Sequence, residues 1–355
     1  MSIKIAIDIS PLKNDHATRG IGFYTKNLVE SLGQTSEVKG KEVEIDLVES
    51  TKGLTKKHDL VHYPYFDLFY PTLPLKKSAK TVVTIHDVVP LIFPKHYPPG
   101  LKGKIKLAIQ KLSLSGVSAV ITDSKVSKED IIKYLSFPKD KIHVVYLAAG
   151  NEFRKIEEGK WKWEIQEKYN LPEKFVLYVG DVNWNKNVSG LAEACKRIEM
   201  PLVIVGKQAV EKYFDEFHPE TQPLVQLIKL FGNDPNILRL GFIPDEDLVK
   251  IYNLATVYCQ PSFYEGFGLP VLQAMSCGCP VVSSQTGSLQ EIAGEAAIFV
   301  DPYKVEQIAG GLEKMTDEKT RKEFVDEGFK QVKKYTWEKT AKEVIDVYKK
   351  VLEAS

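Results

Sequence analysis

The stretch Pro261-Ser262-Phe263-Tyr264-Glu265-Gly266-Phe267-Gly268-Leu269-Pro270-Val271-Leu272-Gln273-Ala274-Met275-Ser276-Cys277-Gly278-Cys279-Pro280 decides how this chain is read. It lies between two apolar runs, TVYCQ before it and PVVSS at its end, that read as strands. Pro270 suits the first turn of a helix, where its missing N–H is not needed, and Gly278 suits the end of one. The spacing therefore predicts a helix over 270–277. The two glycines around Phe267 leave main-chain amides accessible. Glu265 falls at the edge of the loop and Gln273 about one turn into the helix. One segment thus offers a carboxylate, open amides and a positive helix end to a single ligand.

Working outward, the same strand–helix alternation runs through the whole chain. IKIAIDI, VEIDLV, DLVHY, KTVVTIHD, SAVITDS and KIHVVYL read as strands, with helices after Gly20 and near 101–115 and 125–135. A second series follows: KFVLYVG, PLVIVG, NILRLG, TVYCQ, CPVVSS and AAIFVD, separated by helical stretches. Short apolar runs alternating with helices are the pattern of doubly wound α/β domains. A domain usually holds roughly 100–200 residues, so a chain of 355 predicts two. We expect a first Rossmann-like domain over 1–165, a second over 166–335, and a terminal helix over 336–355. That helix carries Trp337, Ala341, Val344, Ile345, Tyr348 and Leu352 on one face. Ligands bind beyond the carboxyl ends of strands in such sheets, so two domains facing across a cleft should line it with their informative loops.

Composition narrows the class. Hydrophobic residues make up 43% and charged residues 27%, as in soluble globular proteins. No apolar run approaches the ~20 residues needed to span a bilayer, and MSIKIAIDIS lacks the features of a signal peptide. Four cysteines cannot make a disulfide scaffold, which fits a cytoplasmic setting. Cys277 and Cys279 read as small buried residues, because no second Cys or His pair stands at zinc spacing. The net charge of +1 hides an asymmetry: residues 1–170 carry +7 and the remainder −6. From Lys76 to Lys111 there are eight lysines and one acid, Asp87. Such a face suggests an anionic partner. In LKGKIKLAIQKL, Leu101, Ile105, Ala108, Ile109 and Leu112 share a helical face beside Lys102, Lys104, Lys106 and Lys111. That face either packs into the core or meets an anionic membrane.

Three further stretches carry candidate chemistry. Arg19-Gly20-Ile21-Gly22 opens a helix after the first strand, where glycines admit a close ligand and free N–H groups attract anions. A plain turn would look the same, and the dinucleotide fingerprint is absent. His86 and Asp87 end a strand, where the histidine could bond a sugar hydroxyl or serve structure alone. Lys186, in Val179-Gly180-Asp181-Val182-Asn183-Trp184-Asn185-Lys186-Asn187, stands just before a helix. Lysine with backbone amides can anchor a diphosphate, or the lysine can simply be solvated.

Together these stretches resemble the retaining glycosyltransferases of family 4, which have the GT-B fold. PSFYEGFGLP and CGCPVVSS resemble that family's donor-binding segment, and the resemblance covers nearly the whole chain. It implies that 1–165 is the acceptor-side domain, that 166–335 binds the nucleotide-sugar, and that the helix over 336–355 crosses back to the first domain. It implies that Gly20, Ile21 and Gly22 approach the donor diphosphate. It implies that His86 contacts the donor sugar near the reacting centre and that Lys186, with Asn185 beside it, binds the diphosphate. Phe242 and Ile243, after Gly241, match the loop whose backbone meets the base. Glu265 matches the first acid of the family's paired glutamates and contacts the transferred sugar. Gly266, Phe267, Gly268 and Leu269 would hold sugar and phosphate. TVVTIHDVVPLIFP and GIGFYTKNL resemble mannosyltransferases of surface-polysaccharide synthesis.

Two departures stand out. The family's second glutamate, which binds the nucleotide ribose, is Gln273 here. The arginine that usually accompanies the phosphate lysine is missing, with Asp181 and Asn185 where it might stand. Asp245-Glu246-Asp247 has the spacing of a metal-binding acid pair but follows Pro244 and opens a helix, which favours capping. We therefore expect a metal-independent, retaining transfer of a hexose such as mannose or glucose. The donor would be GDP- or UDP-linked, with no further cofactor and no nucleic acid, and the acceptor a glycan or lipid-linked molecule. A GT-B nucleotide-sugar epimerase and a non-catalytic nucleotide-binding member are the alternatives.

Overall fold

Short runs rich in Val, Ile and Leu form the strands, as expected where helices cover a parallel sheet on both faces. The computed structural model describes residues 2–49 and 57–354. The chain divides into two compact units, Met1–Ala148 with Tyr335–Ser355, and Ala149–Lys334.

The first unit runs β1 (Ile3–Asp8), α1 (Gly20–Leu32), α2 (Ser36–Lys39), β2 (Val43–Val48), β3 (Leu60–Tyr63), β4 (Lys80–Thr84), α3 (Val89–Ile92), α4 (Gly100–Leu114), β5 (Ala119–Thr122), α5 (Lys125–Asp130) and β6 (Ile142–Val144). Its sheet is parallel, in the order β2-β1-β3-β4-β5-β6. Chain direction across the sheet therefore reverses beside β1 and β3, next to the glycine loop that opens α1. Val61, Val83, Val120 and Ile142 from successive strands meet in one core.

The second unit runs α6 (Trp161–Tyr169), β7 (Val176–Val179), α7 (Val188–Arg197), β8 (Leu202–Val205), α8 (Gln222–Phe231), β9 (Ile237–Gly241), α9 (Asp245–Leu254), β10 (Val257–Gln260), α10 (Leu269–Ser276), β11 (Val281–Ser284), α11 (Leu289–Ala293), β12 (Ala297–Val300), α12 (Val305–Lys314) and α13 (Glu318–Val332). Its parallel sheet has the order β12-β11-β10-β7-β8-β9. The reversal falls between β7 and β10, the strands that precede Lys186 and Glu265. Residues 149–165 belong to this unit rather than to the first. The link is polar: Ile156 N–H donates to Asn253 Oδ1 (2.9 Å), and Asn253 Nδ2 donates to the Arg154 carbonyl (2.9 Å).

The last helix, α14 (Trp337–Glu353), packs on the first unit. It buries Trp337, Ala341, Val344, Ile345 and Tyr348, with Val347 and Val351 in the interior where Leu352 was expected. Helix α4 distinguishes the two readings of its apolar face. Its inward side is Gly103, Gln110, Ser113 and Leu114, and its apolar stripe faces out. Leu101 is 78% exposed, Leu112 61% and Ile105 56%, so the core-packing alternative for that stripe fails. Gln110 explains the orientation: its amide is tied to the Asp67 carbonyl (2.6 Å) and Thr72 Oγ1 (3.0 Å), which holds the polar side inward.

Candidate active site

The second unit carries most of the candidate residues at its strand-order reversal, where an open α/β sheet leaves a crevice. After β7 a single turn, Trp184–Lys186, presents Lys186. After β10 the loop 261–268 presents Glu265. The lysine Nζ lies 2.9 Å from Glu265 Oε1 and 2.7 Å from Oε2. Oε1 also accepts from Ser262 Oγ (2.6 Å) and Gln260 Nε2 (2.7 Å). Gln260 is itself held by the buried Tyr258 hydroxyl (2.5 Å). Burial, foremost, raises the Tyr258 pKa well above its ordinary value, so it stays a neutral donor. Glu265 is thus a buried carboxylate with Lys186, Ser262 and Gln260 on Oε1 and Lys186 on Oε2, and Lys186 supplies its counter-charge.

The loop after Glu265 is braced from the side. Ser288 bonds the Glu265 carbonyl through its N–H (3.0 Å) and the Phe267 carbonyl through its hydroxyl (2.8 Å). Gly287 makes this possible: its φ is +60°, and a Cβ there would stand 2.4 Å from the Glu265 carbonyl oxygen. Gly268 caps the N-terminus of α10, Pro270 lies in the first turn, and Gly278 follows the helix end. The positive end of α10 consequently adjoins Gly266, Phe267 and Leu269. Gln273 is buried one turn in, and its Oε1 accepts from the Tyr252 hydroxyl (3.3 Å).

Asn185 stands beside Lys186, but its side chain is turned inward and donates to the Tyr264 carbonyl (2.9 Å). It therefore braces the Glu265 loop. Phe242 is exposed and Ile243 buried, after β9 at the far edge of the sheet. Asp247 is engaged by Lys168 (2.7 Å), the Tyr169 hydroxyl (2.7 Å) and Lys250 (3.3 Å). Burial opposes its charge, yet these partners hold its carboxyl below the usual range, in keeping with a structural role. All four cysteines are buried and free.

The first unit holds the remaining candidates. Gly20, Ile21 and Gly22 form the first turn of α1. A Cβ at Gly22 would stand 2.4 Å from the His16 carbonyl oxygen, so no larger residue fits this turn without movement. His86 Nδ1 lies 2.6 Å from Asp123 Oδ2, and Nε2 lies 3.2 Å from the Pro64 carbonyl. Both partners are acceptors, so a ring serving both donates twice and is an imidazolium. Burial works against that charge. The Asp123 carboxylate and its hydrogen bond, with Asp87 and the Pro64 carbonyl, outweigh burial and raise the His86 pKa. Neighbouring His62 behaves oppositely: burial, then the charge of His86, push its pKa down to about 3. Neutral His62 links Thr84 Oγ1 (2.9 Å) to the Tyr348 hydroxyl of α14 (2.6 Å). Sequence reasoning missed Asp123. Its signal was the polar end of the apolar run SAVITDS, on the strand adjoining that of His86.

Known proteins share this fold. Residues 159–331 match the family description "Glycosyl transferases group 1", and residues 47–148 match "Glycosyltransferase Family 4". The O-antigen chain mannosyltransferase B of Escherichia coli is 32% identical over 283 residues, covering 77% of this chain and 71% of that protein. The serotype-specific mannosyltransferase WbdA of Escherichia coli is 28% identical over 289 residues, 78% of this chain but only 34% of that longer protein. Among solved structures, sucrose-phosphate synthase of Thermosynechococcus elongatus superposes with a TM-score of 0.75 at 18% identity, covering 99% of this chain and all of that one. HepE of Anabaena, solved with UDP and glucose, gives 0.72 at 14% identity, covering 98% of this chain and all of that one. The two parallel sheets are thus those of the GT-B fold, and the protein is a glycosyltransferase. More narrowly, the chain belongs to glycosyltransferase family 4, the group 1 glycosyl transferases.

Proposed function

We propose that this glycosyltransferase moves a hexose, mannose in the first instance, from a GDP- or UDP-linked donor to a glycan or lipid-linked acceptor, with retention and without a metal ion. The observation that carries the reading is the Lys186–Glu265 pair at the strand reversal, beside the N-terminus of α10. Donor diphosphate exchanges into the contact that Lys186 makes with Glu265, and the amides leading into α10 share its charge. Glu265, still held by Ser262 and Gln260, then accepts from hydroxyls of the transferred sugar. The bond from C1 to the diphosphate oxygen breaks, and the acceptor oxygen bonds C1 on the same face. The acceptor's proton passes to the departing phosphate oxygen. The mannosyl choice rests on the names of the relatives. Incubation with GDP- and UDP-hexoses, following nucleotide release, tests the reading; no release with any of them refutes it. An inverted anomer, or activity lost to EDTA, would refute the retaining or the metal-free part.

The protein works at the cytoplasmic face of an anionic membrane in this reading. No helix among the described residues is long and apolar enough to cross one. The support is α4, whose exposed stripe of Leu101, Ile105, Ile109 and Leu112 runs beside Lys102, Lys104, Lys106 and Lys111 without an acid on the helix. Lys106 also stacks over the exposed ring of Tyr70, 4.3 Å from its centroid. An apolar stripe edged with lysines is the form of an interfacial helix on anionic lipid.

A further inference from the structure

A chain of buried polar side chains in the first unit ends on the aromatic ring that walls in His86. The Tyr348 hydroxyl of α14 lies 2.6 Å from His62 Nδ1, and His62 Nε2 lies 2.9 Å from Thr84 Oγ1. Thr84 Oγ1 in turn lies 2.9 Å from the Tyr24 hydroxyl of α1. All four residues are 1% exposed or less. Burial, foremost, raises the pKa of both tyrosines, so each keeps its proton. Thr84 is the last residue of β4 and stands two residues before His86. The Tyr24 ring meets the His86 ring edge to face, with centroids 4.8 Å apart and planes 84° apart. Trp337, the first residue of α14, also packs on Tyr24, at 6.3 Å. Tyr24 is therefore anchored by its hydroxyl to the strand that carries His86, and its ring is backed by α14.

We propose that Tyr24 is a positioning residue for His86, fixing the plane of its ring. The hydrogen bonds to Asp123 and the Pro64 carbonyl set where the two ring nitrogens lie. They leave the ring able to rock about the line between those partners. A perpendicular aromatic wall removes that freedom, and perpendicular contact is a favoured arrangement of two such rings. Packing alone does not call for the hydroxyl: phenylalanine fills the same space without a polar group to satisfy in the interior. The anchor on Thr84 makes the wall move with β4, and so with His86. Holding the plane keeps the 2.6 Å bond to Asp123 short, and that bond sustains the imidazolium. The other titratable groups that act on this charge are Asp87, His62 from β3 and His16 from the loop before α1. The His86 side chain is 20% exposed at the carboxyl end of the sheet, where ligands of open α/β sheets bind. The catalytic consequence rests on the glycosyl-transfer reading with His86 as a site residue; the ring contact itself does not.

Three variants of the full chain test it. Tyr24→Leu removes the wall, and Tyr24→Phe keeps the wall but frees it from Thr84. Tyr348→Phe removes a hydroxyl from the far end of the same chain, and so reports what losing a buried hydrogen bond does by itself. In NMR titration of labelled histidine, Tyr24→Leu should lower the His86 pKa by about half a unit to one unit, as loss of one aromatic pair implies. Tyr24→Phe should give a smaller fall, and Tyr348→Phe none, although it melts earlier than wild type. In transfer kinetics, Tyr24→Leu should lower kcat roughly three- to tenfold. The alkaline limb of its pH profile should move down by the same amount as the His86 pKa, because the imidazolium is then lost at lower pH. Tyr24→Phe should restore most of both. An unaltered His86 titration in the Tyr24 variants overturns the proposal, as does an equal fall in Tyr348→Phe. Should Tyr24→Leu fail to fold, Tyr24→Phe decides alone, and a wild-type titration there overturns it. If no nucleotide-sugar turns over while the His86 titration still follows Tyr24, the transfer reading fails and the positioning contact stands.

Discussion

Replacing Lys186 with Met keeps the length of the side chain and removes its charge, leaving the Glu265 carboxylate without its cation. Glu265 retains Ser262 and Gln260 on Oε1, but Oε2 loses the lysine at 2.7 Å. Breaking a buried ion pair by removing one partner costs about 3–5 kcal/mol. The lysine side chain here is 23% exposed and the glutamate 8%, so solvent lowers the expected cost to about 2–3 kcal/mol. At roughly 2–4 °C per kcal/mol for a domain of this size, the second unit should melt about 4–12 °C lower. Lys186→Met with Glu265→Gln removes both charges and should recover most of that loss. Turnover is a separate matter: losing the charge-assisted phosphate contact, worth about 1.5–3 kcal/mol, should lower kcat/KM at least about tenfold in both variants. Urea melts of the two single variants and the double variant, read as a double-mutant cycle, give the coupling directly. Additive losses with no coupling would refute the structural pairing. Near-normal kcat/KM in Lys186→Met would move the phosphate site elsewhere.

Three further outcomes are expected. Asp123→Asn should lower the His86 pKa, read by NMR titration of labelled histidine. Because the folded pKa is raised, His86 stabilises the wild type below its unfolded pKa, and the contribution is lost as pH rises through the folded value. Asp123→Asn should flatten that dependence, and an unaltered His86 titration would contradict the imidazolium assignment. Gln273→Glu should lower the donor Kd several-fold with turnover retained, since a carboxylate adds charge assistance that the amide lacks. A protein inactive with every donor until Gln273→Glu is introduced would instead mark the glutamine as disabling. Flotation with anionic liposomes should carry the wild type in a salt-sensitive manner and leave Ile105→Ser with Leu112→Ser behind; equal flotation of both removes α4 from the membrane contact.

The sequence alone determined the alternation of apolar runs and helices, and with it two doubly wound parallel domains. That much is legible because a strand buried on both faces and the Pro270–Gly278 helix bounds are local properties. It also drew attention to His86 at a strand end, Lys186 before a helix, Glu265 at a loop edge and Gln273 one turn into a helix, through local pattern and the family resemblance. Tertiary structure decided what they touch. Lys186 and Glu265 are 79 residues apart and meet only because β7 and β10 are neighbours in the sheet. Asn185 stands beside Lys186 in the sequence, but that its amide holds the Tyr264 carbonyl depends on the loop packed against it. Asp123 was passed over because its meaning comes from β5 lying beside β4. For α4 the pattern showed an apolar stripe, but which side faced the core was settled by Gln110 and its partners in the loop around Asp67 and Thr72. Periodicity along one element carries no record of its neighbours, and the Lys186–Glu265, Asn185–Tyr264 and His86–Asp123 contacts are made between elements distant in the chain.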